Sequence, residues 1–315
     1  MQLDFVRGHM GGNLIVLLDG RQLPAGRELE LAVRILGPNY LAAHEVGLLY
    51  PGLGAADLEV KIAEPTAATY ISACGGMTQV LGKALVEAGL AGRFGLTVQE
   101  PTTSIMLRTE AGLTGISIDV HSGKAGRVVT AMDAFMRECY DRGVGAMVLL
   151  GIEAMRAGKL LVVNADTVRR HCPGVDFNTW NSEARHILTE LQNEFMRQTG
   201  EREYNYCLYD WNPQHGGHVR VVFPHCLEQD FIEPSCGTGS IAVGIALLES
   251  GEMAQRLGPL KDHVCFKLEA GGGLELGGPD ITELSLQLKN GQLCGVSFSH
   301  SLVEITSTGQ VRMQV

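Results

Sequence analysis

The chain has 315 residues, 45% hydrophobic and 19% charged, enough for a sizeable core in two ordinary domains or one large one. Its net charge of −10, without a basic run, argues against nucleic-acid and anionic-membrane partners, although a small anion can still bind through backbone N–H groups. No apolar stretch reaches membrane-spanning length, Leu14–Leu18 is too short for a signal-peptide core, and eight cysteines without a Cys-x-x-Cys pair argue against a disulfide framework, so a cytoplasmic protein is expected.

Along the chain, Leu3–Arg7 reads as a short strand and Gly8–Asn13 as a glycine-rich loop. Leu14–Leu18 is an apolar strand ended by Asp19-Gly20. Arg27–Leu36 has helical spacing, with Leu31 and Ile35 on one face, and Gly37-Pro38 stops it. Leu58–Ile62 and Thr69–Ser72 read as strands, and Thr78–Ala88 as a helix with Leu81, Ala84, Leu85 and Ala88 on one face. Strand patterns follow at Gly95–Gln99, Ser104–Arg108 and Gly115–Val120, then a helix at Met132–Tyr140. Gly143–Lys159 is broken by glycines and receives no assignment. A second cycle starts with the apolar strand Leu160–Val163, followed by Asn164-Ala165-Asp166, as Asn13 stands near the first apolar strand. Ser182–Thr199 is an amphipathic helix, Tyr204–Tyr209 and His218–Phe223 read as strands, and Ser240–Ser250 is a helix without charge until Glu249. From Cys265 to Val315 the chain is strand-like. The expected class is α/β (α+β), with two pseudo-symmetric halves, 1–145 and 146–315, each a mixed sheet wrapped around a central helix.

The two cysteine helices repeat each other. An offset of 162 (236 − 74) places Cys74 on Cys236, Gly75 on Gly237, Gly82 on Gly244, Ala84 on Ala246, Leu85 on Leu247, Glu87 on Glu249 and Gly89 on Gly251. A cysteine at a helix start lies in the positive end of the macrodipole, a setting that lowers a thiol pKa. The unpaired N–H groups there form a carboxylate site. Two such starts, facing each other from the two halves, would hold an acid between two thiols, the layout for taking a proton from one face of a carbon and returning one to the other. The mid-helix glycines, Gly82 and Gly244, imply close approach of a strand to each helix.

Cys236-Gly237-Thr238-Gly239 before an alanine-rich helix resembles the second cysteine motif of diaminopimelate epimerases and proline racemases. Gly8-His9-Met10-Gly11-Gly12-Asn13 resembles the epimerases' His-Gly-x-Gly-Asn loop. The resemblance implies that fold and a cofactor-independent racemase or epimerase of an amino acid. It implies Cys74 and Cys236 as base and acid, Asn13 in contact with substrate, and N–H groups of Gly75, Gly76, Gly237 and Thr238 on its carboxylate. The implied partner is a small amino or carboxylic acid, with no metal, no nucleic acid and no membrane, and a homodimer left open. Two departures stand out. Cys74-Gly75-Gly76-Met77 lacks the usual Asn or His after Cys-Gly, and His225–Glu233 lacks the epimerases' arginine, which argues against diaminopimelate itself. The first helix looks closer to the methylaconitate and methylitaconate isomerase-like branch, which shifts double bonds in unsaturated acids, and Arg7-Gly8 faintly echoes that branch's first loop. A double-bond isomerase is therefore the alternative within the fold, and a non-enzymatic acid-binding protein the alternative outside it.

Other motifs read more plainly. Gly237–Ala242 satisfies Gly-x-Gly-x-x-Ala, but no strand ending in an acid follows about 20 residues on, as a dinucleotide site requires. His215-Gly216-Gly217-His218, near Cys207 and Cys226, fits no standard zinc spacing and reads as a turn. His44-Glu45 lacks the second histidine of a zincin. His9 and Asn13 serve either a site or a turn, and Glu233 either orients a substrate or thiol or is a solvated loop charge. Cys265 and Cys294 read as small buried hydrophobes, and Cys139 ends a helix.

Overall fold

The computed structural model describes residues 1–65, 68–175, 181–201, 206–225, 231–270 and 280–314. In chain order the elements are β1 (Gln2–Met10), β2 (Asn13–Asp19), α1 (Glu28–Ile35), β3 (Glu45–Pro51), β4 (Leu58–Ala63), α2 (Gly75–Glu87), α3 (Leu90–Arg93), β5 (Thr102–Thr109), β6 (Gly112–His121), β7 (Lys124–Ala131) and α4 (Asp133–Arg142). They continue with β8 (Val144–Leu149), β9 (Ile152–Ala157), β10 (Leu160–Asn164), α5 (Ala165–His171), α6 (Ser182–Thr199), β11 (Tyr206–Asp210), β12 (Val219–His225), β13 (Phe231–Glu233) and α7 (Gly237–Glu249). The last are α8 (Glu252–Leu257), β14 (His263–Ala270), β15 (Asp280–Lys289), β16 (Gln292–His300) and β17 (Val303–Arg312).

Two units divide the chain: Met1–Ala134 with Ser297–Val315, and Phe135–Val296. The expected halves, 1–145 and 146–315, differ from these units at residues 135–145 and 297–315. The second difference has a clear cause. β17 runs antiparallel along β1 from Gln2↔Arg312 to Met10↔Val303, so the end of the chain supplies a strand to the first unit.

Each unit repeats one order of strand pairing. In unit 1, β17/β1 and β1/β2 are antiparallel, β2/β3 parallel, β3/β4 antiparallel, β4/β5 parallel and β5/β6 antiparallel. In unit 2, β8/β9 and β9/β10 are antiparallel, β10/β11 parallel, β11/β12 antiparallel, β12/β14 parallel and β14/β15 antiparallel. A parallel pair needs a crossover, and helices supply it: α1 between β2 and β3, α2 between β4 and β5, α5 and α6 between β10 and β11, α7 between β12 and β14. The duplication seen around the cysteines thus extends to the topology of both units.

The apolar strands are apolar because both of their faces are covered. In β2, Ile15 lies against Gly76 of α2, while Val16 and Leu18 pack with Leu31, Ala32 and Ile35 of α1. In unit 2, Leu161 and Val163 of β10 pack with Leu188, Leu191 and Phe195 of α6. α6 is capped by Asn181, whose side chain accepts the Ala184 N–H at 2.8 Å, and ends at Gly200 in the left-handed region. The cysteine helices are buried almost all round: α2 from Gly75 to Gly82 and at Ala84 and Leu85, α7 at Gly237 and from Gly239 to Leu247.

Several sequence expectations need correction. Gly95–Gln99 is no strand; Thr103 Oγ1 takes the Gln99 N–H at 2.7 Å and donates to its carbonyl at 2.9 Å, so a side chain replaces a ladder there. Thr69–Ser72 contributes one bridge, Ile71↔Ile62. β3 and β7 have no counterpart in the sequence reading, and the unassigned Gly143–Lys159 segment holds the hairpin β8/β9. Asn164 caps α5 at the end of β10, whereas Asn13 begins β2, so the two asparagines are not equivalent. Cys265 and Cys294 are exposed. The strand expected to start at Tyr204 is seen as β11 from Tyr206 to Asp210, and Tyr204 and Asn205 lie outside the described residues.

The mid-helix glycines do bring strands close. A Cβ on Gly82 would stand 2.6 and 3.0 Å from the two γ-methyls of Val128, and one on Gly244 would stand 2.5 Å from Leu284 Cδ1. Valine is stiff, whereas the end of a leucine can turn away. Overpacking costs about 1–3 kcal/mol and alanine returns about 1 kcal/mol of helix propensity. Gly82→Ala should therefore lose about 1–2 kcal/mol in urea unfolding and Gly244→Ala should stay within about 1 kcal/mol of the parent. A larger loss at Gly244 would contradict this account.

Candidate active site

In unit 1, Cys74 caps α2. Its backbone is extended (φ −143°, ψ 118°), and its Sγ accepts the Met77 N–H at 3.1 Å, a place usually taken by a Ser, Thr, Asp or Asn oxygen. The same thiol donates to Oε2 of Glu45, the first residue of β3. Glu45 and Gly47 lie on one face of β3, since side chains alternate. That face meets α2: a Cβ on Gly47 would stand 3.1 Å from Met77 Cγ. Asn13 is buried at the start of β2, with Oδ1 3.0 Å from His44 Nδ1, and its amide lies 3.7 Å from where a Cβ of Gly76 would be. Asn13, His44, Glu45, Cys74, Gly75 and Gly76 thus gather at one helix start.

In unit 2, Cys236 caps α7 with the same extended backbone (φ −130°, ψ 115°), and its Sγ accepts the Gly239 N–H at 3.4 Å. Thr238 Oγ1 is 3.4 Å from the sulfur. Glu233, expected as either an orienting group or a solvated loop charge, is buried, in a strand residue paired with Phe223. The helix–strand contact seen at Gly47 and Met77 recurs with the sizes exchanged: a Cβ on Gly239 would meet Phe223 at 2.6 Å and Cys207 Sγ at 3.3 Å. The bare Cα of Gly239 is therefore explained by packing, without a dinucleotide phosphate.

The electrostatics of Cys236 reverse the sequence expectation. A helix start favours the thiolate, yet the Cys236 thiol is pushed well above its ordinary value, first by burial and then by the Glu233 carboxylate. The Thr238 hydroxyl and the Gly239 N–H pull the other way and are outweighed. Cys236 is thus held as a thiol. Cys207, buried behind it, is likewise pushed up by burial and Glu233.

The remaining sequence candidates separate. The His215–His218 turn wraps a buried carboxylate: Glu269 accepts N–H groups of Gln214, His215 and Gly217 at 2.5–2.7 Å. Among the described residues no group of three His, Cys, Asp or Glu is placed to hold a metal ion, and Cys226 lies outside them. His9 serves the turn before β2, its Nδ1 3.4 Å from the Gly12 N–H. Glu45 and His44 are the functional candidates that sequence reasoning missed. Their contacts span 29 and 31 residues, and only the strand parity that puts Glu45 on the face of Gly47 could have hinted at them. Among the described residues no helix is long and apolar enough to cross a membrane.

No protein-family model and no curated protein matches the sequence. Solved structures do match in fold. A hydroxyproline epimerase from Agrobacterium vitis, with trans-4-hydroxy-L-proline bound, is 16% identical at a TM-score of 0.68, over 98% of this chain and 90% of that one. A probable proline racemase from Agrobacterium radiobacter, with bound carbonate, is 16% identical at 0.67, over 99% and 93%. A methylitaconate-delta-isomerase is 14% identical at 0.64, over 98% and 95%. The fold is therefore that of the proline racemase and diaminopimelate epimerase-like proteins, as the Cys-Gly repeat leads one to expect.

Removing the Glu233 charge should lower the Cys236 pKa. In Glu233→Gln, iodoacetamide should alkylate the Cys236 peptide with a pH–rate profile moved to lower pH. Thr238→Ala should move it the opposite way. An unmoved profile in Glu233→Gln would show that burial alone holds the thiol.

Proposed function

We propose that the protein is a cofactor-independent isomerase that moves a proton at a carbon beside a carboxylate, and in the first instance an amino-acid racemase or epimerase. One observation carries this reading: two units of this fold each start their buried helix with a cysteine whose sulfur accepts the N–H three residues on. In the proposed reaction one cysteine, as thiolate, takes the α-proton. The electron pair moves onto the carboxylate, where N–H groups of Gly75, Gly76, Gly237 and Thr238 stabilise the added charge. The other cysteine gives its proton to the opposite face, and the reverse reaction exchanges the roles. Cys236, held as a thiol, starts as the acid. Cys74 becomes the base when its proton passes to Glu45, and the Met77 N–H then holds the thiolate. Asn13, against Gly76 and His44, positions the substrate.

The contact between Cys74 and Glu45 favours a second reading, a 1,3-proton shift in an unsaturated acid. A thiol and a carboxylate side by side keep a base and an acid on one side of a substrate. Such a pair can take a proton from one carbon and return it to another.

Incubation with L-amino acids and unsaturated acids in heavy water tests both. Deuterium at the α-carbon is expected, with racemisation reduced roughly 10²–10⁴-fold in either Cys74→Ser or Cys236→Ser. Deuterium at the γ-carbon, with Cys236→Ser still active and Glu45→Gln inactive, would establish the allylic isomerase. No exchange with any acid would leave a binding protein.

A further inference from the structure

We infer that Gln79 is a positioning residue for the Cys74 end of this site, acting through Thr130 and Thr78 on the peptide that carries the Gly76 N–H. The inference rests on the reading of Cys74 and Gly76 as substrate-facing groups.

Gln79, Thr130 and Thr78 are 0%, 0% and 2% exposed, and the hydrogen bonds that link them have one consistent set of directions. The Gln79 carbonyl oxygen accepts the His300 N–H at 3.3 Å, so its NH₂ is the group at 2.8 Å from Thr130 Oγ1. The Thr78 hydroxyl donates to the Gly75 carbonyl at 2.8 Å. Its hydrogen being used there, the 2.9 Å bond between Thr78 and Thr130 has Thr130 as donor. A single directed series results: Gln79 to Thr130, Thr130 to Thr78, Thr78 to the carbonyl of Gly75.

The end of that series matters because the Gly75 carbonyl and the Gly76 N–H belong to one planar peptide group. Holding the oxygen fixes the direction of the N–H. The group lies between two glycines, where the backbone is least restrained. Hydrogen bonds in series also polarise one another, which makes the Gly76 N–H a stronger donor. Unit 2 has the same device four residues after its own cysteine: the Ser240 hydroxyl donates to the Cys236 carbonyl at 2.7 Å, on the peptide that carries the Gly237 N–H. The other end of the series reaches the Asn13 turn. The Leu302 N–H donates to His300 Nδ1 at 3.1 Å, and the Gly11 N–H to the Leu302 carbonyl at 2.9 Å. Gln79 therefore ties the turn before Asn13 to the peptide under it.

Two alkylating reagents read this without knowledge of the substrate. Iodoacetate and iodoacetamide both lose iodide to a thiolate, but only iodoacetate carries a carboxylate beside the carbon attacked. The ratio of their rates at Cys74, followed by peptide mass spectrometry, reports the aimed N–H groups, and the ratio at Cys236 is the internal control. Gln79→Met and Thr130→Val should each lower the Cys74 ratio about tenfold, the worth of one hydrogen bond to a charge. Both should leave the Cys236 ratio unchanged, and Thr130→Ser should keep the parent value. An unchanged Cys74 ratio in both variants overturns the inference, as does an equal loss in Thr130→Ser, which would mean packing alone. If Gln79→Met does not fold, the Thr130 pair decides. Deuterium exchange with an unchanged ratio overturns the positioning role and leaves the isomerase; a lowered ratio without exchange does the reverse.

Discussion

A sulfur atom that closes the first turn of a buried helix is the constraint around which each unit is built. The first N–H groups of a helix have no partner within it, and burial makes an unpartnered donor costly. At α2 and α7 the third of these groups is given to a thiol. The N–H groups before it are left directed toward the cysteine end. Placing that end correctly requires the rest: a helix buried almost all round, a sheet packed against it, and glycines where strands press closest. Stability and candidate chemistry are thus decided at the same few residues.

The two ends are alike in backbone and different in the groups at the sulfur. Cys236 sits with a buried carboxylate nearby and a hydroxyl at its sulfur; Cys74 donates its hydrogen bond to a carboxylate. Local backbone geometry can be inherited through a duplication, because it depends on residues close in sequence. The groups at each sulfur differ: Glu45 reaches Cys74 from a strand 29 residues earlier, whereas Glu233 and Thr238 stand within three residues of Cys236.

The same distinction decides what was legible in the sequence. The cysteine helices, their glycines and the fully apolar strands β2 and β10 were readable, because period and composition carry them. Glu45 was not, because nothing near residue 45 refers to residue 74. The hydroxyl pair Thr78 and Thr130 is separated by 52 positions and is equally silent. Cys265 was misread although the information was present: Val264, Phe266 and Leu268 face inward, so parity turns Cys265 outward. The segment Gly95–Gln99 was misread because a single threonine side chain took the hydrogen bonds that a strand would have made.

The late arrival of β17 has a consequence for how the chain assembles. Ser297 pairs with Ala131, so the whole of unit 2 is an insertion between two neighbouring positions of unit 1. During synthesis, β1 leaves the ribosome some 300 residues ahead of the strand it pairs with. Closing so long a loop is entropically costly and leaves an open sheet edge meanwhile. Unit 2 is a continuous stretch of chain, Phe135–Val296. Once folded, it shortens the span between Ala131 and Ser297 to that of a compact body. Growth from the middle outward, with β1 covered only when β17 arrives, is the assembly order this topology favours.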